Sequence, residues 1–504
     1  MQQSSIQGTA IPSFINTGVD GLDEILGGGL TPHRLYLIEG VPGSGKTTLA
    51  LQYLLAGVKA GEPVLYITLS ETKEELCAVA RSHGWSLDNL PIHEVIPSED
   101  KLQVDQQYTV FHPSEIELSE TLKTILSEVE RVKPTRIVFD SLSELRLLAG
   151  NPLRYRRQVL ALKQYFAGRR CTVLVLDDRT TADHDLQVQS IAHGVILLEQ
   201  LYPEFGAERR RLRVVKYRGV KFHGGFHDFL IRQGGLIIFP RLVAADHRHS
   251  FSRDTLSSGI PGLDILLGGG IHSGTSTLIV GVPGSGKSSL ALQFVVAAAR
   301  RGHRSAMFLF DESENTLQAR AAGLGMNLQD HTELIKIQQV DPAELSPGEF
   351  IHLVRQQVDE GQARIIVIDS LNGYLNAMPE EHFLVIQLHE LLTYLGQRGV
   401  ATLMVSVQQG LIGTTMTGPV DASYLADSII LLRYFEANGE VRQAISVIKK
   451  RSGEHERTIR EFKLEAGGIR VGHPLREFRG VLTGVPTYDG HASPLMQKTQ
   501  SPAR

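Results

Sequence analysis

The octapeptide GVPGSGKT, Gly40 to Thr47, returns 241 residues later as GVPGSGKS, Gly281 to Ser288. Both satisfy GxxxxGK[ST], a loop whose backbone N–H groups wrap a row of phosphates while the lysine meets the outer ones and the hydroxyl faces magnesium. The apolar runs RLYLIE and TSTLIV precede the loops, and TLALQYLLAG and SLALQFVVAAA follow them. That is the strand–loop–helix setting the motif requires, and it seats phosphate at a helix N-terminus. Nucleotide binding then falls to Gly40, Gly43, Ser44, Gly45, Lys46, Thr47 and Thr48, and to Gly281, Gly284, Ser285, Gly286, Lys287, Ser288 and Ser289. The bland alternative, two glycine turns without nucleotide, needs a rare pattern to arise twice in the right context.

The similarity reaches beyond the loops. TGVDGLDEILGGGL from Thr17 matches SGIPGLDILLGGGI from Ser258 at the same 241-residue spacing, as duplication of a whole domain would leave it. With 504 residues and 42% hydrophobic content, the chain can fill two cores. In each copy, apolar runs (PVLYITLS, TRIVFDS, CTVLVLDD and SIAHGVILLEQ; SAMFLFDES, ARIIVIDS, ATLMVSVQQ and DSIILLRYF) alternate with helical patterns such as KEELCAVARSHG and HFLVIQLHELLTYLGQRG. This predicts an α/β fold twice over, each a mostly parallel sheet flanked by helices. The expected divisions are an N-terminal extension at 1–13, a first domain at 14–241, a linker at 242–254, a second domain at 255–483 and a flexible tail at 484–504.

Composition narrows the setting. No stretch approaches the roughly 20 apolar residues of a membrane span, and the opening MQQSSIQGTAIPSF is unlike a secretory leader. A cytoplasmic protein without membrane contact is expected. Cys77 and Cys171 are the only cysteines, too few for a disulfide framework or a zinc site, and both read as reduced, buried small hydrophobes. A net charge of −4 gives no global attraction to nucleic acid. The local ERRRLR around Arg209 to Arg213 reads as a solvated edge or subunit contact rather than a nucleic-acid patch.

Further chemistry sits at strand ends. Asp140 closes RIVFD and Asp369 closes IIVID. Alone, each could cap a following helix; beside the loops, each is a candidate for holding magnesium's shell together with Thr47 and Ser288. Glu71 in ITLSET and the pair Asp311-Glu312 in FLFDES follow the second strand, where a carboxylate can face the γ-phosphate and activate an acceptor. They could also simply favour a helix N-terminus.

Together, the tandem loops, the GLD…LGGG segments, the strand-two acids and IDS resemble the KaiC circadian-clock ATPases, from about Ser13 to Tyr488. The most specific stretch is DSIILLRYFEANGEVRQAISVIKKRSGEHERTIREF, Asp427 to Phe462. The resemblance implies two tandem RecA-like P-loop domains, a homohexameric double ring, Mg2+ and ATP at the subunit interfaces, and KaiA-like, KaiB-like or signalling-kinase partners. It also implies that a KxR motif, here Lys216 and Arg218, then Lys449 and Arg451, reaches a neighbour's γ-phosphate; the alternative is solvated charge on an exposed strand. Where the family phosphorylates a serine and then a threonine, this chain has Ser423 and Tyr424, of which Ser423 is the better acceptor because a tyrosine is longer and planar. Where it carries paired glutamates, the first copy has Ser70-Glu71, so hydrolysis there rests on Glu71 or runs at an altered rate.

The leading expectation is an ATP-hydrolysing serine/threonine autokinase acting as a timer or signalling hub. Two other readings fit the loops: a nucleotide-gated hexameric scaffold with little hydrolysis, and a RecA-like DNA-dependent ATPase.

Overall fold

The computed structural model describes residues 14–95, 113–179, 186–203, 206–341, 343–376, 383–408, 423–437, 439–483 and 487–488. The chain divides into two compact units, Met1–Arg241 and Leu242–Arg504. The expected extension at 1–13 lies outside the described residues, as does most of the expected tail at 484–504.

In the first unit, β1 (Leu35–Gly40), β2 (Val64–Thr68), β3 (Ile92–Glu94), β4 (Arg136–Asp140), β5 (Thr172–Asp178), β6 (Gly194–Leu201), β7 (Arg209–Tyr217), β8 (His227–Arg232) and β9 (Gly235–Phe239) form one sheet in the order β3-β2-β4-β5-β1-β6-β7-β8-β9. The helices are α1 (Leu22–Ile25), α2 (Lys46–Lys59), α3 (Lys73–Ser82), α4 (Pro113–Val132), α5 (Leu142–Ala149), α6 (Pro152–Gly168) and α7 (Leu186–Ile191). The second unit adds a ribbon of β10 (Thr255–Leu256) and β11 (Ile271–His272). Its main sheet comprises β12 (Ser276–Gly281), β13 (Ser305–Leu309), β14 (Ile335–Gln339), β15 (Ile365–Asp369), β16 (Ala401–Val407), β17 (Ser428–Ala437), β18 (Glu440–Lys450), β19 (Arg460–Glu465) and β20 (Gly468–Pro474). Their order, β14-β13-β15-β16-β12-β17-β18-β19-β20, repeats the first sheet strand for strand. Its helices are α8 (Pro261–Leu266), α9 (Lys287–Ala299), α10 (Glu314–Gly323), α11 (Pro347–Asp359), α12 (Leu371–Asn376) and α13 (Leu384–Gln397). Among the described residues, no helix is long and apolar enough to cross a membrane.

The continuous apolar strands explain the layering. Successive side chains of a strand point to opposite faces, and in β1 Leu35 and Leu37 enter one buried cluster while Tyr36 and Ile38 enter another. A strand apolar on both faces must be covered on both, so helices flank the parallel half of each sheet. Strands β1 to β6 pair in parallel, whereas β6 to β9 are antiparallel, and β12 to β20 divide likewise. Gly21, before α1, has φ +82°, and a Cβ there would lie 2.1 Å from the Ile238 carbonyl oxygen on β9. Close seating of α1 on the sheet thus demands glycine.

Two details depart from or extend the sequence reading. Cys77 is only half-buried, because on α3 its neighbour Leu76 takes the core-facing position; Cys171 is buried, and both thiols are free. On β7, Leu212 joins the core while Arg210 pairs with Glu208 at 2.6 Å and Arg211 with Glu199 at 2.8 Å, so much of the basic run is neutralised locally.

Candidate active site

Each phosphate loop leaves the carboxyl end of a central strand, β1 or β12, and runs into α2 or α9. Gly45 and Gly286 cap those helices at φ +98° and +95°, a left-handed conformation open to glycine. A Cβ would also meet Ile231 at 2.8 Å in the first loop and Phe462 at 2.9 Å in the second. The Ser44 and Ser285 hydroxyls are buried with no hydrogen-bond partner among the described residues, as suits donors to a phosphate. Thr48 and Ser289 are buried on the first turns of the helices.

The lysines differ. Lys46 Nζ donates to the Gly40 and Val41 carbonyls, both at 3.0 Å, and pairs with Asp178 Oδ1 at 2.7 Å. Asp178 ends β5 beside Gly40; beside Gly281, on β16, stands Val407. Among the described residues, Lys287 therefore has no equivalent of that ion pair. Its Nζ donates to the Val282 carbonyl at 2.8 Å, and burial pulls its pKa down to about 8, opposed by Asp369.

Asp140 ends β4 and Asp369 ends β15. The Thr47 hydroxyl bonds Asp140, and the Tyr66 hydroxyl donates to its Oδ2 at 2.6 Å. The Ser288 hydroxyl bonds Asp369, whose Oδ2 is buried with no hydrogen-bond partner among the described residues. Burial raises both carboxyls above the usual range. A hydroxyl and a buried carboxylate touching beside the phosphate loop are the donor set that a hexacoordinate Mg2+ accepts, so the residues fit that ion.

The strand-two carboxylates also differ between the units. Thr68 Oγ1 accepts from the Glu71 N–H at 2.9 Å and donates to the Glu71 carbonyl at 2.7 Å. Thr72 caps α3 in a reciprocal box with Glu75. These bonds fix the Glu71 backbone, while its Oε2 is buried with no partner among the described residues. Burial, then Asp140, Glu75 and Asp178, push its pKa to about 7, against the opposite pull of Lys46. In the second unit, Glu312 pairs with Arg320 at 2.8 Å, and Asp311 Oδ2 accepts a short hydrogen bond from Ser370.

Lys216, Arg218, Lys449 and Arg451 lie elsewhere. Lys449 Nζ donates to the Ser423 and Ala426 carbonyls at 2.9 and 2.7 Å, and Arg451 to the Tyr424 carbonyl at 3.2 Å. In the first unit, Lys216 bonds the Gln189 carbonyl at 2.6 Å and Arg218 the Ser190 carbonyl at 2.7 Å. Arg451 N–H bonds Asp427, which bonds Ser276 at the start of β12, whereas the phosphate loop leaves that strand's far end. Five residues of strand put about 17 Å between the two levels. A register shift beside each pair leaves Val215 or Ile448 as an extra residue before its lysine; such bulges re-aim the next side chain. The structure thus joins Ser423 and Tyr424 to their KxR pair and separates both from the phosphate loop of the same unit.

Four residues beside the site escaped the sequence reading: Tyr66, Asp178, Arg320 and Ser370. Asp178 carried a legible signal, since CTVLVLDD ends an apolar strand in acid as RIVFD does. The other three act through contacts distant in sequence or sit at unremarkable helical and strand positions.

Comparison with known proteins agrees with this duplicated geometry. The KaiC ATPase family model matches residues 15–243 and again 256–476. The chain is 26% identical over 481 residues to the circadian clock protein KaiC3 of Synechocystis sp., covering 94% of each. It is 27% identical over 486 residues to the circadian clock oscillator protein KaiC of Picosynechococcus sp. and to that of Synechococcus elongatus, covering 94% of this chain and 92% of each relative. With both units matched and both nucleotide loops intact, the chain belongs to the KaiC family of ATP-binding ATPases.

Proposed function

We propose that the chain forms a ring, six-membered as the resemblance implies, that hydrolyses Mg-ATP and phosphorylates its own second unit at Ser423, serving as a circadian-type timer or signalling hub. The observation carrying this reading is the separation of each KxR pair from the phosphate loop of its own unit, with Ser423 and Tyr424 beside the pair. A cation on that edge can serve a nucleotide only on a neighbouring copy. A cation supplied in trans contributes roughly 10³ to 10⁵ in rate to phosphoryl transfer.

The proposed roles are these. Lys46 and Lys287 hold the outer phosphates, and the loop glycines, Ser44 and Ser285 offer N–H and O–H donors. Thr47 with Asp140, and Ser288 with Asp369, would hold Mg2+, which when bound offsets charge on the phosphates. Glu71 takes the proton of the attacking water in the first unit; Asp311 or Glu312 receives the acceptor's proton in the second. Lys216 and Arg218, and Lys449 and Arg451, meet the neighbour's γ-phosphate. Partners resembling KaiA or KaiB, or signalling kinases, would read the phosphorylated edge, where a phosphate adds about −1.5 to −2 charge. A cytoplasmic setting suits such a hub.

The test is incubation with Mg-ATP followed by phosphopeptide mapping, with Asp311→Asn and Glu312→Gln as controls. Phosphate on Ser423 that at least one control lacks supports the autokinase; an unmodified 423–424 segment in an ATP-hydrolysing ring overturns it.

A further inference from the structure

Because the two units descend from one sequence, each serves as an internal reference for the other. Arg320 stands 241 residues after Val79, as Glu312 does after Glu71. Val79 packs against the first unit's apolar cluster. Arg320, on α10, instead pairs with Glu312 at 2.8 Å, and its charge also reaches Asp369. A second exchange accompanies it: Thr68, which ties down the Glu71 backbone, has Leu309 as its counterpart, beside Asp369 in the sheet. Among the described residues, the first unit therefore fixes the backbone and leaves the Glu71 carboxylate without an ion pair, whereas the second unit pairs the carboxylate itself.

Resting on the proton-accepting role proposed above for the strand-two carboxylates, we propose that Arg320 is a positioning residue that restrains Glu312 and so suppresses attack by water in the second unit, sparing bound ATP for transfer to a protein hydroxyl whose proton passes to Asp311. In hydrolysis the water oxygen forms the new bond to the γ-phosphorus, its proton passes to the carboxylate, and the bond to the β,γ-bridging oxygen breaks to release ADP and phosphate. A carboxylate held by a guanidinium has its oxygens engaged and is turned from the water.

The experiment measures steady-state ADP production by the full chain in a Glu71→Gln background, which isolates the second unit. Arg320→Val, which copies the first unit, is expected to raise kcat about three- to tenfold with KM nearly unchanged, because the restraint acts on the chemical step. Arg320→Lys, which keeps a cation, stays near the parent. The reciprocal Val79→Arg in a Lys287→Ala background lowers first-unit kcat. Should Arg320→Val fail to assemble, Arg320→Met takes its place. An Arg320→Val ring whose kcat is unchanged or reduced, or is absent altogether, overturns the inference. Absence of ADP production by the parent chain in both units would instead overturn the ATPase reading itself.

Discussion

At the residue scale, Glu71 is the group whose behaviour the geometry fixes most tightly. Burial, with neighbouring carboxylates, pushes its pKa up to about 7 from an ordinary 4.5. A general base must be deprotonated, so first-unit turnover in an Asp311→Asn/Glu312→Gln background falls about tenfold per pH unit below 7. A pH profile flat between 5.5 and 8 would remove Glu71 from that role. The same shift has a stability consequence of definite sign. The folded chain holds the Glu71 proton more tightly than the unfolded one, so this stabilisation is complete below pH 4.5 and is lost as pH rises through 7. Glu71→Gln cannot ionise and escapes the loss. In nucleotide-free protein its advantage over the parent should be larger at pH 8 than at pH 5 by about 1 to 2 kcal/mol, discounted for solvent reaching this half-buried carboxyl. Urea denaturation at the two pH values reads the difference.

At the element scale, α1 shows what one missing side chain permits. The Gly21→Ala methyl meets the Ile238 carbonyl oxygen at 2.1 Å and carries the strain of φ +82°. Gly150, after α5, has φ +61° with nothing near its absent Cβ. Gly150→Ala therefore costs about 1 kcal/mol of left-handed strain, and Gly21→Ala should cost at least about 2 kcal/mol more because α1 must lift from β9. Equal urea midpoints for the two variants would show that α1 is not seated as described.

The elements themselves were largely legible in the sequence. Uninterrupted apolar runs such as RIVFD and IIVID can only be buried strands beside a phosphate loop, and KEELCAVARSHG carries a helical period with Thr72 as its cap. The loops and Asp140, Asp369, Glu71 and Glu312 were legible for the same local reason. The pairing that decides how these groups behave was not. Asp178 reaches Lys46 from a strand more than a hundred residues away, and Arg320 sits at a position whose counterpart in the first unit is a partly buried valine. Likewise the bulges at Val215 and Ile448 arise from cross-strand register, which no single strand encodes.

At the scale of the whole molecule, the decisive fact is that phosphate loop and KxR pair occupy opposite ends of the same sheet. If each nucleotide is served by one copy's loop and the next copy's cations, two differently crippled chains can rescue one another. Lys287→Ala removes the lysine of the phosphate loop, and Arg451→Ala removes the cation on the far edge. Each alone should lose most second-unit turnover. In an equal mixture of the two, assembled together in a Glu71→Gln background, an interface is intact wherever an Arg451→Ala copy presents its sound loop to a Lys287→Ala copy presenting its sound arginine. Random assembly makes about a quarter of the interfaces so in a closed ring. ADP production should therefore recover to about a quarter of the value of Glu71→Gln rings. A mixture no more active than either parent would mean that each unit completes its own site, and the reading built on the separation of loop and cation would fall with it.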